Sequence, residues 1–165
     1  MPQKKSANPF DMMQDIAVSA IADDKILKLD NQLCFSLYVC SKEVIRKLKP
    51  MLEQYDLTYT GYITLSALWE EDNVNVKELG KKLYLDSGTL TPLLKKLEAK
   101  GYISRVKDKS DERNIHILLT EQGKALKNKV IGSPKEMLNS IGFGGVKSYI
   151  LMQAIQGLQD SLTNK

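Results

Sequence analysis

Apolar residues recur every three or four positions over most of the chain, which is the period of amphipathic helices. The pattern predicts a long helix over about 31–55, and Pro50 lies inside it, where it should kink the helix rather than end it. Ser133 and Glu136, with Pro134 between them, form a capping box that predicts another helix start. The same period predicts further helices over about 10–22, 60–70, 121–131 and 146–162.

Two shorter helices in the middle of the chain have strong start and stop signals. Asn75 and Glu78 form a capping box that predicts a helix over 76–83. Asp86 or Ser87 caps the second helix, which ends at a glycine in the C′ position. Two short helices joined by a tight turn are typical of a helix-turn-helix.

A β-hairpin is predicted directly after these helices. Apolar residues dominate 102–106 and 115–119, on either side of the charged segment 107–113. This order is that of a winged helix-turn-helix, in which the second helix enters the major groove of DNA and the hairpin, or wing, reaches a minor groove. The predicted fold class is therefore mainly α with a small β-hairpin wing.

The helices at both ends of the chain have apolar faces that a small winged core cannot cover. Pairing with a second copy is the simplest way to bury them, and a two-fold dimer would read the two halves of a palindromic duplex. We expect a partly disordered N-terminal extension, a dimerisation helix, the winged helix-turn-helix domain and C-terminal dimerisation helices, over 1–24, 25–58, 59–120 and 121–165.

The charge of the chain is concentrated in the predicted reading unit. Between Asn75 and Ile115 there are ten lysines and arginines and six acids, so this segment has the whole net charge of +4. Binding of DNA phosphates requires such a distribution, although a solvated lysine-rich surface would show it too. No apolar run approaches the roughly 18 residues of a membrane span. We expect no signal peptide, because neither an apolar core nor a small-residue cleavage site follows the first five residues. We expect a cytoplasmic protein.

Two cysteines and one histidine restrict the possible chemistry. Six residues along a helix separate Cys34 from Cys40 by about 9 Å of rise, too far for a disulfide between them. Cys40 is expected to pack in the core and His116 to be a polar strand residue, and neither a metal site nor a cofactor is expected. The aromatic residues expected in the core are Tyr62, Trp69 and Tyr84.

Cys34 is the candidate reactive group. If Asp30 is the N-cap of the long helix, Cys34 lies in the first turn, where unpaired amides and the helix dipole favour a thiolate. The thiolate attacks a peroxide and forms a sulfenic acid, which leads to a mixed disulfide or to over-oxidation. A small apolar residue with no chemical role is the alternative that the local sequence leaves open.

The side chains predicted to contact DNA lie on the second helix of the pair and on the wing. Hydroxyl groups near a helix N-terminus reach base edges or phosphates, and lysines bind phosphates. An arginine on the wing suits the minor groove, with a carboxylate that orients it. The alternatives are simple helix capping and an exposed ion pair of little energy. The predicted residues are Ser87, Thr89, Thr91, Lys95, Lys96, Arg105, Asp111 and Arg113.

Four segments together resemble the MarR family, and within it the OhrR branch of organic-hydroperoxide-sensing repressors. They are NQLCFSLY at 31–38, LTY at 57–59, LYLDSGTLTPLLKKLE at 83–98 and DER at 111–113. The resemblance covers about 29–126, which is most of the chain, and the combination of segments is specific.

The resemblance implies a repressor that leaves a palindromic operator when a cysteine is oxidised by an organic hydroperoxide. Cys34 occupies the sensing position, Tyr38 matches the tyrosine on the helix of that cysteine, and Tyr59 matches one of two tyrosines from the partner subunit. Leu48 stands in place of the other. Since no cysteine follows Cys40, the chain resembles the one-cysteine type.

Three other functions stay open. A MarR-type repressor could be released by a small phenolic or apolar ligand without thiol chemistry. A thiol peroxidase would use Cys34, but no suitably placed resolving cysteine and no nucleophile–base pair accompany it. A protein adaptor that binds no DNA would use the same dimer.

Overall fold

The structure, a computed structural model, describes residues 27–108 and 114–163. The helix expected over 10–22 and the tip of the wing, with Asp111 and Arg113, lie outside the described residues. The chain divides into two compact units, Met1–Val44 and Ile45–Lys165.

The described residues form seven α-helices, a short 3-10 helix and three strands. The 3-10 helix spans Leu29–Asn31 and precedes the first α-helix. The α-helices are α1 (Leu33–Glu53), α2 (Tyr59–Glu70), α3 (Val76–Leu83), α4 (Ser87–Ala99), α5 (Glu121–Val130), α6 (Ser133–Ser140) and α7 (Val146–Thr163). The strands are β1 (Val74–Asn75), β2 (Ile103–Lys107) and β3 (Ile115–Leu119). The predicted class, mainly α with a hairpin wing, is confirmed.

The start of α1 differs from the prediction. Asp30 lies within the 3-10 helix, and the first bonded turn of α1 is closed by the carbonyl of Gln32, which accepts from the backbone N–H of Ser36 at 3.0 Å. Asp30 is therefore not the N-cap, because the chain makes a tighter turn before α1 begins. Pro50 lies inside α1 without ending it, as expected, and α1 stops at Glu53.

Polar side chains fix the starts of four helices. The cap of α3 accepts from the backbone N–H of Lys77 at 2.8 Å, one position earlier than the predicted capping box with Glu78 requires. The capping residues of α2, α3, α4 and α5 are Thr58, Asn75, Asp86 and Thr120.

The predicted cap of α6 was wrong. Ser133 is the first residue of the helix and is 6% exposed, so its hydroxyl does not precede the helix as an N-cap would. The residue before it, Gly132, has helical backbone angles and no side chain with which to cap.

A small antiparallel sheet has the strand order β1-β3-β2. Ile103 of β2 pairs with Leu119 and Lys107 with Ile115, which makes the predicted hairpin, while β1 adds the pair Asn75–His116 on the other edge of β3. Sequence patterning missed β1, because two residues are too few to show a period.

α2 lies at the centre of the unit 45–165. It packs against α3, α4, α5 and β3, and Leu65 and Leu68 are almost completely buried. The indole N–H of Trp69 donates to the carbonyl of Gly123 at 3.0 Å, which ties α2 to α5. The surrounding buried hydrophobic residues are Leu48, Leu52, Leu57, Ala67, Val74, Leu79, Leu90, Leu94, Leu97, Ile103, Ile117, Leu119, Leu126, Val130 and Met137.

Two of the three aromatic predictions are confirmed. Tyr62 and Trp69 pack against the core and meet edge to face with ring centroids 6.4 Å apart. Tyr84 was predicted wrongly, because it is 57% exposed in the turn between α3 and α4.

α7 has no buried residue in the single chain. None of the helices among the described residues is long and apolar enough to span a bilayer. The large apolar side chains that α7 exposes are Val146, Tyr149, Ile150, Leu151, Met152, Ile155 and Leu162.

Gly123 should be the glycine least tolerant of a side chain. A Cβ at this position would lie 2.0 Å from the carbonyl oxygen of Tyr102, and a backbone atom cannot rotate away. We expect Gly123→Ala to lower the free energy of unfolding by about 1–3 kcal/mol, measured by denaturant titration. The control is Gly132→Ala, where the backbone is helical and the space is open, and the change should stay within about 1 kcal/mol. Equal stability of the two variants would contradict this packing.

Candidate DNA interface and cysteine site

The N-terminus of α4 is fixed by Asp86. One carboxylate oxygen accepts from the backbone N–H of Thr89 at 2.8 Å, and the other lies 3.1 Å from the Thr89 hydroxyl. The backbone N–H of Thr89 is the main cause that lowers the pKa of Asp86 below its ordinary value. The cap is therefore charged at neutral pH, and its contribution to stability is lost only as the pH falls through that lowered pKa. Asp86 caps the helix, and the Thr89 hydroxyl is engaged with it.

The exposed face of α4 carries the predicted contact residues. Leu90, Leu94 and Leu97 are buried at 1–3% exposure, and they turn the opposite face of α4 to solvent. Among the exposed residues, a row beside the leucine face repeats every four residues, which is close to one helical turn. The row consists of Ser87, Thr91 and Lys95, and the other predicted residues of α4, Thr89 and Lys96, are also exposed.

Arg105 of β2 is held against the end of α4. Its Nε lies 2.7 Å from a carboxylate oxygen of Glu98, and its backbone N–H donates to the other oxygen at 3.2 Å. This pair ties the wing to α4 and offsets the positive charge of Arg105.

The base of the wing is closed by hydrogen bonds. The backbone N–H of Asp108 donates to the carbonyl of Asn114 at 2.8 Å. His116 is a half-buried residue of β3, as predicted for a polar strand position, with Nδ1 3.3 Å from the carbonyl oxygen of Asn73. The described residues contain no group of three or more metal-ligating side chains.

A groove beside α4 was not predicted from the sequence. It lies between α3, the first residues of α4 and the base of the wing, with a volume of about 770 Å³, and we call it the α3 groove. Lys77 and Lys81 of α3 line it. Their spacing of four residues was the available signal, because it puts both on one face of a helix. The other residues of its lining are Asn75, Val76, Gly80, Tyr84, Leu85, Asp86, Ser87, Leu90, Asn114 and Ile115.

Cys34 is the second residue of α1, and its thiol is free and exposed. Tyr38 follows it by four residues, so both lie on one face of the helix, and the Tyr38 ring is 5.9 Å from the Lys42 ammonium. Cys40 is also free and exposed, so the predicted core position was wrong for the single chain. The apolar rhythm of α1 misled this prediction, because α1 buries only Leu48 and Leu52 among its residues.

The other two positions named by the resemblance lie in the second unit. Tyr59 is the first residue of α2 and packs, partly buried, against the core. Leu48 is 4% exposed and belongs to the core itself. A tyrosine in place of Leu48 would require the core to be repacked.

Comparison with known proteins identifies relatives along most of the chain. Residues 46–130 match the family described as transcriptional regulator SarA/Rot. The HTH-type transcriptional regulator SarZ of Staphylococcus aureus strain USA300 is 58% identical over 100 residues, which cover 61% of this chain and 68% of SarZ. SarZ of Staphylococcus saprophyticus is 46% identical over 134 residues, which cover 81% of this chain and 92% of that protein.

Solved structures show the same fold. AbfR of Staphylococcus epidermidis has a TM-score of 0.71 at 29% identity, covering 93% of this chain and 99% of AbfR. Reduced AbfR bound to DNA has a TM-score of 0.66 at 33% identity, covering 82% and 96%. AbfR has also been solved in an overoxidised form bound to DNA and with a disulfide formed. A MarR-family regulator from Rhodococcus sp. RHA1 has a TM-score of 0.73 at 22% identity, covering 84% and 98%, and shows the fold alone.

These matches refine the resemblance seen in the sequence. The winged-helix fold of MarR-family regulators is confirmed, while the OhrR-like branch stays a prediction. The relatives are transcriptional regulators and not enzymes, so the thiol peroxidase alternative has no support from them. The chain belongs to the SarA/Rot family of transcriptional regulators.

Proposed function

We propose that this regulator is a repressor that binds a palindromic operator as a homodimer and leaves it when an organic hydroperoxide oxidises Cys34. The exposed row Ser87, Thr91 and Lys95 on α4 is the observation that carries the DNA contact. These side chains are hydroxyls near the helix N-terminus followed by a cation, which suits an α-helix entering the major groove.

Further contacts belong to the same surface. Thr89 and Lys96 are also exposed on α4. The sequence predicts a minor-groove contact from the wing by Arg113, with Asp111 as the carboxylate that orients it. Arg105 contributes by holding the wing to α4 through Glu98, and its charge meets DNA only if that pair opens. The DNA-bound structures of AbfR, which has the same fold, support this mode of binding.

The homodimer is supported by the exposed apolar side chains of α7. Seven large apolar residues lie on a helix with no buried position, and such a surface on a soluble chain is typical of an interface. A second copy is the simplest partner, since a two-fold dimer places two α4 helices on the two halves of a palindrome.

The redox step is supported by the exposure of Cys34 in the first turn of α1. The thiolate attacks the hydroperoxide, the O–O bond breaks, and the products are a sulfenic acid on Cys34 and the alcohol. A second thiol then displaces water from the sulfenic acid and forms a disulfide. AbfR supports such chemistry, because it was solved reduced, overoxidised and with a disulfide formed.

Lys95→Ala tests the assignment of the α4 face. The variant should bind duplex DNA more weakly, and the slope of log K against log salt should fall in magnitude by about 2, because a dimer loses two phosphate contacts. Fluorescence anisotropy on a labelled duplex from the region upstream of its own gene measures both quantities. Lys124→Ala is the control, since that lysine already pairs with Glu121 at 3.0 Å. If both variants changed the DNA affinity and the salt slope equally, the placement of α4 in the DNA interface would be wrong.

Cys34→Ser tests the sensor. One equivalent of cumene hydroperoxide should release the wild-type protein from DNA, while the serine variant should bind the duplex and stay bound, because a hydroxyl is not oxidised under these conditions. Cys40→Ser provides a matched control, as an exposed thiol on the same helix, and should respond as the wild type does.

Release that persists in Cys34→Ser would exclude the thiol mechanism. Release of that variant by a phenolic compound without any oxidant would instead support a ligand-controlled repressor.

A further inference from the structure

The α3 groove carries positive charge that the contacts proposed for α4 do not use. Lys77 and Lys81 lie one helical turn apart on the face of α3 that lines the groove. In the described part of the chain no carboxylate forms an ion pair with either. The neighbouring Lys82 points elsewhere, because its ammonium pairs with Glu70 at 2.9 Å. Of these three lysines of α3, Lys82 forms an intramolecular ion pair, and Lys77 and Lys81 line the groove.

Among the described residues, the acidic groups near these lysines are already in use or lie at the margin of the groove. Asp86 lines the groove, but its carboxylate caps α4 through Thr89. Glu78 lies beside Lys77 and Lys81 in a smaller adjoining depression, next to His116. The groove therefore offers two ammonium groups to a ligand with spaced negative charges.

The turn at the edge of the groove holds Tyr84 in an unusual conformation. Tyr84 has φ 53° and ψ 37°, a left-handed geometry that favours glycine. The turn is tight: the backbone N–H of Leu85 donates to the carbonyl of Gly80 at 3.0 Å, and a Cβ on Gly80 would lie 3.0 Å from the Leu85 oxygen. Strain at an exposed tyrosine is typical of a functional position.

We propose that the α3 groove binds the sugar–phosphate backbone of the operator, with Lys77 and Lys81 as phosphate contacts and Tyr84 packing at the edge. The inference rests on the proposed DNA binding. The lining of the α3 groove continues into Ser87 and Leu90 of α4. A duplex bound by α4 would therefore pass beside the groove. Charge complementarity favours the DNA backbone over a small apolar ligand, because the backbone is a polyanion and an apolar molecule would leave both ammonium groups without a counter-charge.

The double variant Lys77→Ala/Lys81→Ala tests the proposal in the full-length protein. A dimer would lose four phosphate contacts, so the salt slope should fall in magnitude by roughly 3 to 4 units, and affinity near 0.1 M salt should fall at least about tenfold. The loss should be the same on operator and on unrelated duplex, because phosphate contacts do not depend on base sequence. The control Lys82→Ala/Lys124→Ala removes the same charge from paired lysines and should change the slope far less.

Tyr84→Gly separates a DNA contact from a structural role. Glycine relieves the left-handed strain, so the melting temperature should be unchanged or higher while DNA affinity falls several-fold. A purely structural tyrosine would lower both together, and that result would remove Tyr84 from the contact.

Two outcomes distinguish the inference from the function on which it rests. If the wild-type protein binds no duplex at any salt concentration, the proposed DNA binding itself fails. If it binds and the groove variant keeps the wild-type affinity and slope, the α3 groove is not a phosphate site. Methylphosphonate substitution at the flanking phosphates should weaken wild-type binding but leave the groove variant unaffected, and an equal loss in both would also overturn the proposal.

Discussion

The packing of α4 against α2 is the contact on which the interface depends. Gly61 of α2 faces Leu97 of α4, since a Cβ on the glycine would be in ordinary contact with a Leu97 methyl carbon at 3.5 Å and would crowd the Thr58 hydroxyl at 3.2 Å. Leu90 and Leu94 are buried on the same face of α4. Once these leucines are buried, helical geometry leaves the remaining surface of α4 as one exposed face. The Asp86 cap then fixes where that face begins, and the Arg105–Glu98 pair fixes the wing relative to it.

The turn between α3 and α4 is tight and closely packed. A glycine at Tyr84 would fit the left-handed backbone with less strain, yet the chain places a large exposed aromatic ring there. Gly80 keeps the turn tight enough for α3 and α4 to form one continuous surface. The lysines of α3 share this surface unequally, since Lys82 stabilises contact with α2 through Glu70 while Lys77 and Lys81 face the groove.

The two cysteines of α1 differ in position rather than in exposure. Cys34 and Cys40 are both exposed on α1, and they differ in their place along it, since only Cys34 lies in the first turn. Backbone amides in the first turn of a helix lack intrahelical partners, whereas those in its interior are bonded within the helix. Position along the helix, rather than exposure, therefore singles out Cys34.

The sequence alone determined the helix order, the hairpin and most helix starts, because capping residues and apolar periodicity act within a few positions of one another. It also determined which side of α4 is buried, since Leu90, Leu94 and Leu97 share one face of the helix. Only the tertiary structure decided the rest. The strand β1 exists because β3 offers it a partner, Arg105 is held because Glu98 lies beside it, and Tyr84 is exposed because a tight turn turns it outward. The α3 groove is formed by the neighbouring helices α3 and α4 together with Asn114 and Ile115, which come much later in the chain. A local sequence pattern cannot predict which distant surfaces packing brings together.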